Sequence, residues 1–403
     1  MERAVEACAA QIGGEVAPGF ESVREAFAEN FQRRGELGAA CAVYRGHQAL
    51  VDLWAGVRDS VSGAPWEPDT MVLVYSTTKG MAGLAMALAH SRRLLDYGER
   101  VATYWPEFAE AGKAEVTVRQ LLSHQAGLCA LDAPVNRAVV ADPDRLAEAL
   151  AAQRPAWTPG TRQGYHNFSL GFYEGELLRR VDPAHRTLGR YFADEIAAPL
   201  GLDFYIRLPD EIPDERLAPV VRANPLRTLG LLLATNPRLA LAYMNPRSLT
   251  ARAMLKNPGP NLPIDPDRVY ARELEVPSGG GVGTARALAR AYGAAATGGA
   301  ELGLDARTLD ALEAPAVPPS RGFFDVCMKR EMHLSLGFLK PGGAYDFGSP
   351  VAFGAPGAGG SFAFADPEHG IGYAYVTNRM GPQVGGDPRE LAVRTAVRRA
   401  LVG

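Results

Sequence analysis

Apolar and polar positions alternate in short runs at the two ends of the chain. Residues 38–56 contain two β-rich runs on either side of Arg45-Gly46, which predicts a hairpin. Residues 361–378 contain two more around the turn sequence 366–370. A final helix is predicted at about 388–401. The two ends are therefore predicted to form one antiparallel sheet.

Between about residues 100 and 310, apolar positions recur mostly at helical spacing, with proline-rich connections and few strand signals. Residues 77–95 also predict a buried helix, because they lack proline and carry Ala, Leu and Met at helical spacing. The pattern predicts an α/β (α+β) fold. Residues 1–100 and 311–403 would form an α/β domain with an antiparallel sheet flanked by helices. Residues 101–310 would form an inserted all-helical domain, and a ligand site is expected in the cleft between the two.

The most apolar stretch is residues 225–246, but Arg227, Asn236, Pro237 and Arg238 interrupt it. No apolar run reaches the roughly 18–20 residues that a membrane span requires. We therefore expect no membrane span and a helical hairpin at 225–246 that packs in the core or forms a pocket wall. The alternatives are a membrane contact and an exposed apolar flap over a substrate site.

Charge and composition exclude several classes of protein. A net charge of -3 from 42 basic and 45 acidic residues provides no basic field for nucleic acid. Residues 1–20 contain acids and a Gly-Gly pair instead of a cationic start and an unbroken apolar run, so we expect a cytoplasmic protein. The cysteines lack metal-type spacing and are expected to be reduced packing residues: Cys8, Cys41, Cys129 and Cys327.

Ser76 lies three residues before Lys79, at the start of the predicted helix over 77–95. Residues at i and i+3 share a helix face, so the amine can reach the hydroxyl. A serine becomes a nucleophile when an adjacent base takes its proton, and lysine can be that base when burial disfavours its charged form. Only five of the 42 basic residues are lysines, and the neighbours of Lys79 are mostly small or apolar. The pair therefore favours an active-site interpretation over a solvated helix surface.

Two segments of the form Tyr-x-Asn could complete a proton relay. Tyr165 and Asn167 follow a Pro-Gly turn and open a helix, where polar tips can project into a cleft. Tyr243 and Asn245 end an apolar helix, where packing is the simpler explanation. We favour Tyr165, whose phenol could shuttle a proton if Lys79 holds it near the phenolate, with Asn167 binding Lys79 or the substrate.

A glycine-rich segment at 353–367 precedes a predicted strand and could offer an edge N–H to a substrate carbonyl, opposite the N–H of Ser76. The rival interpretation is a phosphate loop. Neither this segment nor 278–289 fits the dinucleotide-binding spacing GxGxxG, so no nucleotide cofactor is predicted. No HExxH motif or cluster of His and Cys predicts a metal site.

In their order and wide spacing, residues 76–79, 165–167 and 353–361 resemble the three motifs of the serine β-lactamase and penicillin-binding-protein superfamily. The sequence is most similar to the class C-like esterases called family VIII carboxylesterases, over about residues 20–400. The resemblance implies a β-lactamase-like fold, with an antiparallel sheet beside a helical domain.

The resemblance also assigns roles. Ser76 would be the acylated nucleophile, and Lys79 and Tyr165 would activate it. The backbone N–H groups of Ser76 and Ala358 would form the oxyanion hole. Asn167, Gly357 and Gly359 would contact the substrate, whereas His124 would have a structural role and His166 would be a variable middle residue.

One departure concerns the substrate. β-Lactamases and peptidases carry Lys-Thr-Gly, and many related esterases His-x-Gly, where this chain has Ala355-Pro356-Gly357. Losing a cation that would anchor a substrate carboxylate costs about 1.5–3 kcal/mol, roughly ten- to a hundredfold in affinity. Neutral esters would escape that loss.

The sequence therefore predicts a serine hydrolase that cleaves small carboxylic esters through an acyl-enzyme on Ser76. The alternatives within the superfamily are an acyltransferase, a D-amino-acid amidase and a β-lactamase. A catalytically silent ligand-binding protein is the alternative outside enzymes, and Ala355 is its best argument. Homo-oligomerisation is left open.

Overall fold

The computed structural model describes residues 11–259, 261–265, 269–383 and 385–402. The strands in these ranges are β1 Gly13–Val16, β2 Gly38–Arg45, β3 Gln48–Gly56, β4 Met71–Leu73, β5 Phe204–Tyr205, β6 Leu217–Ala218, β7 Val282–Gly283, β8 Phe324–Asp325, β9 Arg330–Glu331, β10 His333–Ser335, β11 Phe338–Lys340, β12 Phe353–Pro356, β13 Phe362–Asp366 and β14 Ile371–Thr377.

The α-helices are α1 Glu21–Arg33, α2 Thr78–Ser91, α3 Val101–Tyr104, α4 Val118–Leu122, α5 Arg137–Val140, α6 Pro143–Ala152, α7 Ser169–Val181, α8 Leu188–Phe192, α9 Ala198–Leu200, α10 Pro225–Thr235, α11 Pro237–Met244, α12 Leu249–Ala251, α13 Ala285–Ala296, α14 Ala306–Glu313 and α15 Pro388–Val402. Two short π-helical segments follow α8 and α12, at Ala193–Ala197 and Arg252–Lys256. One 3₁₀ turn, Tyr75–Thr77, leads directly into α2.

The large sheet joins the two ends of the chain in the order β1-β3-β2-β14-β13-β12-β11-β10. All of its pairs are antiparallel. The predicted hairpin at 38–56 is the β2–β3 pair, and β14 joins the C-terminal strands to it. The predicted antiparallel sheet and the mixed α/β fold class are confirmed.

Strand β14 shows how the sequence builds the two faces of this sheet. Tyr373 and Tyr375 pack with α1 and α15 on one face, whereas Ala374 and Val376 pack with α13 on the other. A Cβ at Gly372 would lie 2.1 Å from the backbone nitrogen of Gly293, so only glycine permits this close approach of α13. Strand β14 thus presents tyrosines to the helices on one face of the sheet and smaller residues to the helix on the other.

Helix α2 connects the sheet to the middle of the chain. All its residues from Thr78 to His90 are buried. It contacts β11 and β12 on one side and α7 and α8 on the other. The turn that carries Ser76 therefore lies where the sheet meets the mid-chain helices.

The middle segment contains more than helices. Strands β5, β6 and β7 form a small four-stranded sheet with β4, in the order β5-β7-β4-β6. Helix α13 packs against β2, β13 and β14 of the large sheet. Hydrophobic periodicity did not predict β5, β6 and β7, because a strand of two residues is too short to show alternation. The boundaries of the two predicted domains stay predictions.

The predicted apolar hairpin forms helices α10 and α11, but much of it is not buried. Leu226 is 80% exposed, and Leu241 and Met244 are 62% and 61% exposed. The expectation of core packing is wrong for these side chains. Within the described ranges, no helix is both long and apolar enough to cross a bilayer.

The cysteines pack as predicted wherever the structure describes them. Cys41, Cys129 and Cys327 are buried free thiols. The sulfurs of Cys129 and Cys327 lie 3.5 Å apart. Cys8 lies outside the described residues.

Candidate active site

The turn before α2 presents Ser76 at the end of β4. Tyr75 has φ 48°, a left-handed conformation that residues other than glycine rarely adopt. The hydroxyl of Thr78 donates to the carbonyl of Tyr75, and the same hydroxyl accepts the Gly281 N–H at 2.9 Å. The chain beside β7 thus holds this sharp turn, and Ser76 remains partly exposed at its tip.

Lys79 lies one turn along the helix from Ser76 and is 2% exposed. Its Nζ is 3.3 Å from Ser76 Oγ, 2.6 Å from the carbonyl oxygen of Asn167 and 2.8 Å from that of Ser278. Burial lowers the pKa of Lys79 to about 7, and the nearby carboxyl of Glu174 opposes this shift. A large fraction of the amine is therefore neutral near pH 7.

Two other lysines show what is particular about Lys79. Lys113 Nζ donates to three carbonyl oxygens at 2.7–2.8 Å, and Lys340 Nζ also donates to three carbonyls. Three acceptors match the three N–H donors of an ammonium group. At Lys79 a serine hydroxyl takes the place of the third carbonyl.

Tyr165 packs against both members of the pair. The Nζ of Lys79 lies 4.9 Å from the centroid of its ring. Burial raises the pKa of Tyr165, although its hydrogen bond with Ser76 lowers it in part. The phenol is therefore neutral, and the expected phenolate held by Lys79 does not fit this arrangement, because the amine faces the ring.

His124 and His166 build the frame behind Tyr165. His124 stacks on the Tyr165 ring with centroids 5.2 Å apart, and its Nδ1 accepts the backbone N–H of His166 at 2.8 Å. The Nε2 of His166 accepts the N–H of Leu128 at 3.0 Å. Burial lowers the pKa of His166 to about 4, so it is neutral at pH 7. His166 therefore does more than fill a variable position, because it fixes the loop beside Tyr165.

Of the two Tyr-x-Asn segments, only the one at 165–167 lies at the Ser76 turn. The contact of Asn167 with Lys79 uses the backbone carbonyl and not the side-chain amide. Tyr243 packs under the α10–α11 hairpin, and Asn245 is exposed at the end of α11. The substrate contact predicted for the Asn167 side chain stays a prediction.

The glycine-rich segment contacts the Ser76 turn as its sequence suggested. A Cβ on Gly357 would lie 2.2 Å from the carbonyl oxygen of Val74 and 2.7 Å from Thr77 Oγ1. The Gly357 N–H donates to the Ser361 carbonyl at 2.7 Å. The next residue, Ala358, is exposed at the loop tip. Its role in an oxyanion hole stays a prediction.

Behind this loop lies a buried ion cluster centred on Arg389. The guanidinium pairs with Glu36 at 2.8 Å and Asp387 at 2.7 Å, and all three side chains are almost fully buried. It also donates to the carbonyl of Gly359 at 3.0 Å. Gly359 has φ +89°, and its carbonyl also accepts the Gly381 N–H at 3.0 Å, so its observed contacts hold the loop in place. Its predicted substrate contact stays a prediction.

Glu174 is a residue of this site that the sequence analysis missed. It lies on α7 and is fully buried, and neither carboxyl oxygen has a hydrogen-bond partner among the described residues. Burial raises its pKa to about 8, and the charge of Lys79 opposes this rise. A glutamate within an apolar helical stretch gave no signal beyond its charge, because its partner comes from another helix.

The chain is similar to known proteins along most of its length. Residues 23–397 match the family described as Beta-lactamase. The chain is 33% identical over 376 residues to "Esterase/beta-lactamase LipL" of Mycobacterium tuberculosis, covering 92% of this chain and 83% of LipL.

Two solved structures are similar along nearly the whole chain. A family VIII carboxylesterase is 37% identical, with a TM-score of 0.83 and coverage of 97% of this chain and 100% of the other. EstA from Arthrobacter nitroguajacolicus Rue61a is 32% identical, with a TM-score of 0.81 and coverage of 98% and 99%. The chain belongs to the β-lactamase family, and its predicted resemblance to the class C-like serine hydrolases is confirmed.

Proposed function

We propose that the protein hydrolyses small carboxylic esters through an acyl-enzyme on Ser76. The observation that carries this proposal is the set of contacts around Lys79 Nζ: two backbone carbonyls and one serine hydroxyl. A neutral amine has two N–H donors and one lone pair. With both N–H groups on the carbonyls of Asn167 and Ser278, the lone pair points at the Ser76 hydroxyl.

The reaction begins when Lys79 takes the proton of Ser76 and Oγ attacks the ester carbonyl carbon. The negative charge on the carbonyl oxygen would be stabilised by the N–H groups of Ser76 and Ala358. As the tetrahedral intermediate collapses, the carbon–alkoxide bond breaks and the neutral phenol of Tyr165 protonates the leaving oxygen. The proton on Lys79 then restores the phenol. Water attacks the acyl-enzyme by the same steps in reverse, which releases the acid.

Esters are favoured as substrates by the third motif. Ala355 is buried and its Cβ lies near Gly80, so this position supplies no cation for a substrate carboxylate. The similar proteins of known structure include a family VIII carboxylesterase. Both points support a neutral ester over a carboxylate-bearing peptide.

A second candidate activity is β-lactam hydrolysis, since the relative LipL is described as both esterase and β-lactamase. The same Ser76 acylation would serve both substrates. The absence of a cation at Ala355 predicts weaker activity on β-lactams than on esters. The cytoplasmic location and the oligomeric state stay predictions.

The test compares the wild type with Ser76→Ala and with Ser62→Ala, an exposed serine outside the site. With p-nitrophenyl esters, the wild type and Ser62→Ala should release a burst of nitrophenol. Mass spectrometry should then find the acyl group on the peptide that contains Ser76. Turnover without that mass gain, or full activity in Ser76→Ala, would overturn the mechanism. Nitrocefin hydrolysis measured in parallel separates esterase from β-lactamase.

A wild type without turnover or acylation on ester, amide and nitrocefin substrates would favour the silent binding protein. Acyl transfer has a different signature. Added alcohol would then accelerate the loss of the acyl group and yield a new ester in place of the acid.

A further inference from the structure

Exposed apolar side chains concentrate in one part of the described chain. Ten large hydrophobic residues are exposed among all the described residues, and half of them fall between positions 226 and 255: Leu226, Leu233, Leu241, Met244 and Leu255. Isolated exposed leucines are common on soluble proteins, but a group of this kind marks an interaction surface.

The exposed residues follow the geometry of the helices. Leu226 and Leu233 are seven residues apart on α10, and Leu241 and Met244 are three apart on α11, so each pair shares one helix face. The opposite faces are used internally, because Leu232 and Leu239 pack in a small cluster of their own. The hairpin is thus held together from within while its outer face stays apolar and uncovered.

Residues 217–264, which contain this hairpin, also carry an excess of basic residues. Residues 217–264 contain six cations and no acid, in a chain with a net charge of -3. Arg252 pairs with Asp132. The other five are exposed and form no ion pair with an acid of the described residues: Arg222, Arg227, Arg238, Arg247 and Lys256.

This hairpin lies beside the candidate active site. Tyr243 of α11 and Tyr165 pack against the same buried cluster. Arg222, which lies three residues before α10, is close enough to Tyr75 for its charge to act on that phenol. The side chain of Asn236, between the two helices, donates to the carbonyl of Met328 at 3.2 Å.

We propose that the outer face of α10 and α11, together with the five exposed cations on and around these helices, docks on an anionic lipid bilayer. An interfacial helix needs leucines that enter the acyl boundary and basic residues that meet lipid phosphates, and this face has both. The absence of acids over 217–264 fits a uniformly negative surface. Docking there would bring the Ser76 turn close to esters that are dissolved in the membrane.

The experiment is flotation of the full chain with vesicles of phosphatidylcholine alone or with about 30% phosphatidylglycerol. We expect binding to the anionic vesicles at about 50 mM NaCl and its loss at about 500 mM NaCl. Arg227→Glu/Arg238→Glu should weaken binding at least about tenfold. Leu226→Ser/Leu241→Ser should weaken it to a similar extent.

Arg321→Glu and Leu391→Ser alter an exposed cation and an exposed leucine elsewhere, and should leave binding unchanged. Circular dichroism establishes that each variant is folded. The proposal is overturned if the wild type does not float, or if the hairpin variants bind as the controls do. It is also overturned if sedimentation shows a dimer that the leucine variants dissociate, because a second copy would then cover this face. Vesicle binding is measured without substrate, so its failure is distinct from failure of the proposed esterase.

Discussion

Lys79 Nζ lies 3.3 Å from Ser76 Oγ and gives its two shortest contacts to backbone carbonyls of other segments. Those carbonyls come from the segment just before α7 and from the loop before β7, so α2 and these two segments together orient the amine. Since Lys79 is buried whereas Ser76 is partly exposed, the amine is shielded from water and the hydroxyl is accessible from solvent.

The pH dependence of activity should follow Lys79. Burial lowers its pKa to about 7, and only the neutral amine can take the proton of Ser76. As the pH falls below about 7, kcat/KM should therefore fall about tenfold per pH unit. Lys79→Arg should be inactive throughout, because a guanidinium does not lose its proton. A profile that is flat from about pH 5 to 8 with a stable substrate would contradict Lys79 as the base.

Glu174 should tune this profile without taking part in the chemistry. Burial raises its own pKa to about 8, so the carboxyl is largely neutral at pH 7, and only its ionised fraction raises the pKa of Lys79. Glu174→Gln keeps the shape and removes that ionised fraction, so the acid limb of kcat/KM should move slightly to lower pH. Glu176→Gln changes a carboxyl on the same helix that pairs with Arg179 and Arg180, and should leave the limb in place. Equal limbs in wild type and Glu174→Gln would show that Glu174 is already protonated where Lys79 titrates.

The sequence predicted the parts of the fold that depend on local pattern. Alternation predicted the β2–β3 hairpin and the last two strands, and the sequence also predicted α2 and the final helix α15. It did not predict that α13 packs on the large sheet, because this depends on Gly372, whose lack of a side chain admits the helix backbone. Close approach between distant segments leaves no periodic signal.

The sequence also predicted one part of the candidate site and missed another. The spacing of Ser76 and Lys79 predicted their contact correctly. The scarcity of lysine was a weaker argument, since Lys113 and Lys340 are also buried and contact only carbonyls. Glu174 was missed because its proximity to Lys79 is tertiary. The hairpin was expected to be buried because hydropathy does not show which face of a short helix is covered.

Gly357→Ala tests the close contact between the third motif and the Ser76 turn. The new methyl group would lie 2.2 Å from the Val74 carbonyl, so the loop and the turn must separate. A displacement of about 1 Å in a catalytic group can cost about a hundredfold in rate, and we expect a loss of kcat/KM of this order. Gly175→Ala is the control, since its methyl group would meet no atom within 4 Å. If both variants keep full activity, the tight contact at Gly357 is not needed for catalysis.

Arg389→Met tests whether the buried ion cluster supports the fold behind this loop. The substitution keeps much of the volume but leaves Glu36 and Asp387 buried without their cation, which should lower the free energy of unfolding by about 3–5 kcal/mol. Burial already raises the pKa of Glu36 while Arg389 opposes it, so the variant should raise that pKa further. Folded Glu36 then holds a proton that the unfolded chain releases, and stability should fall as the pH rises through the folded pKa.

Urea unfolding followed by circular dichroism at several pH values measures the stability of the Arg389→Met variant. Arg379→Met removes an exposed arginine bound to the Gly35 carbonyl and should cost less than about 1 kcal/mol. An Arg389→Met variant as stable as Arg379→Met at every pH would show that the buried ion cluster does not stabilise the fold.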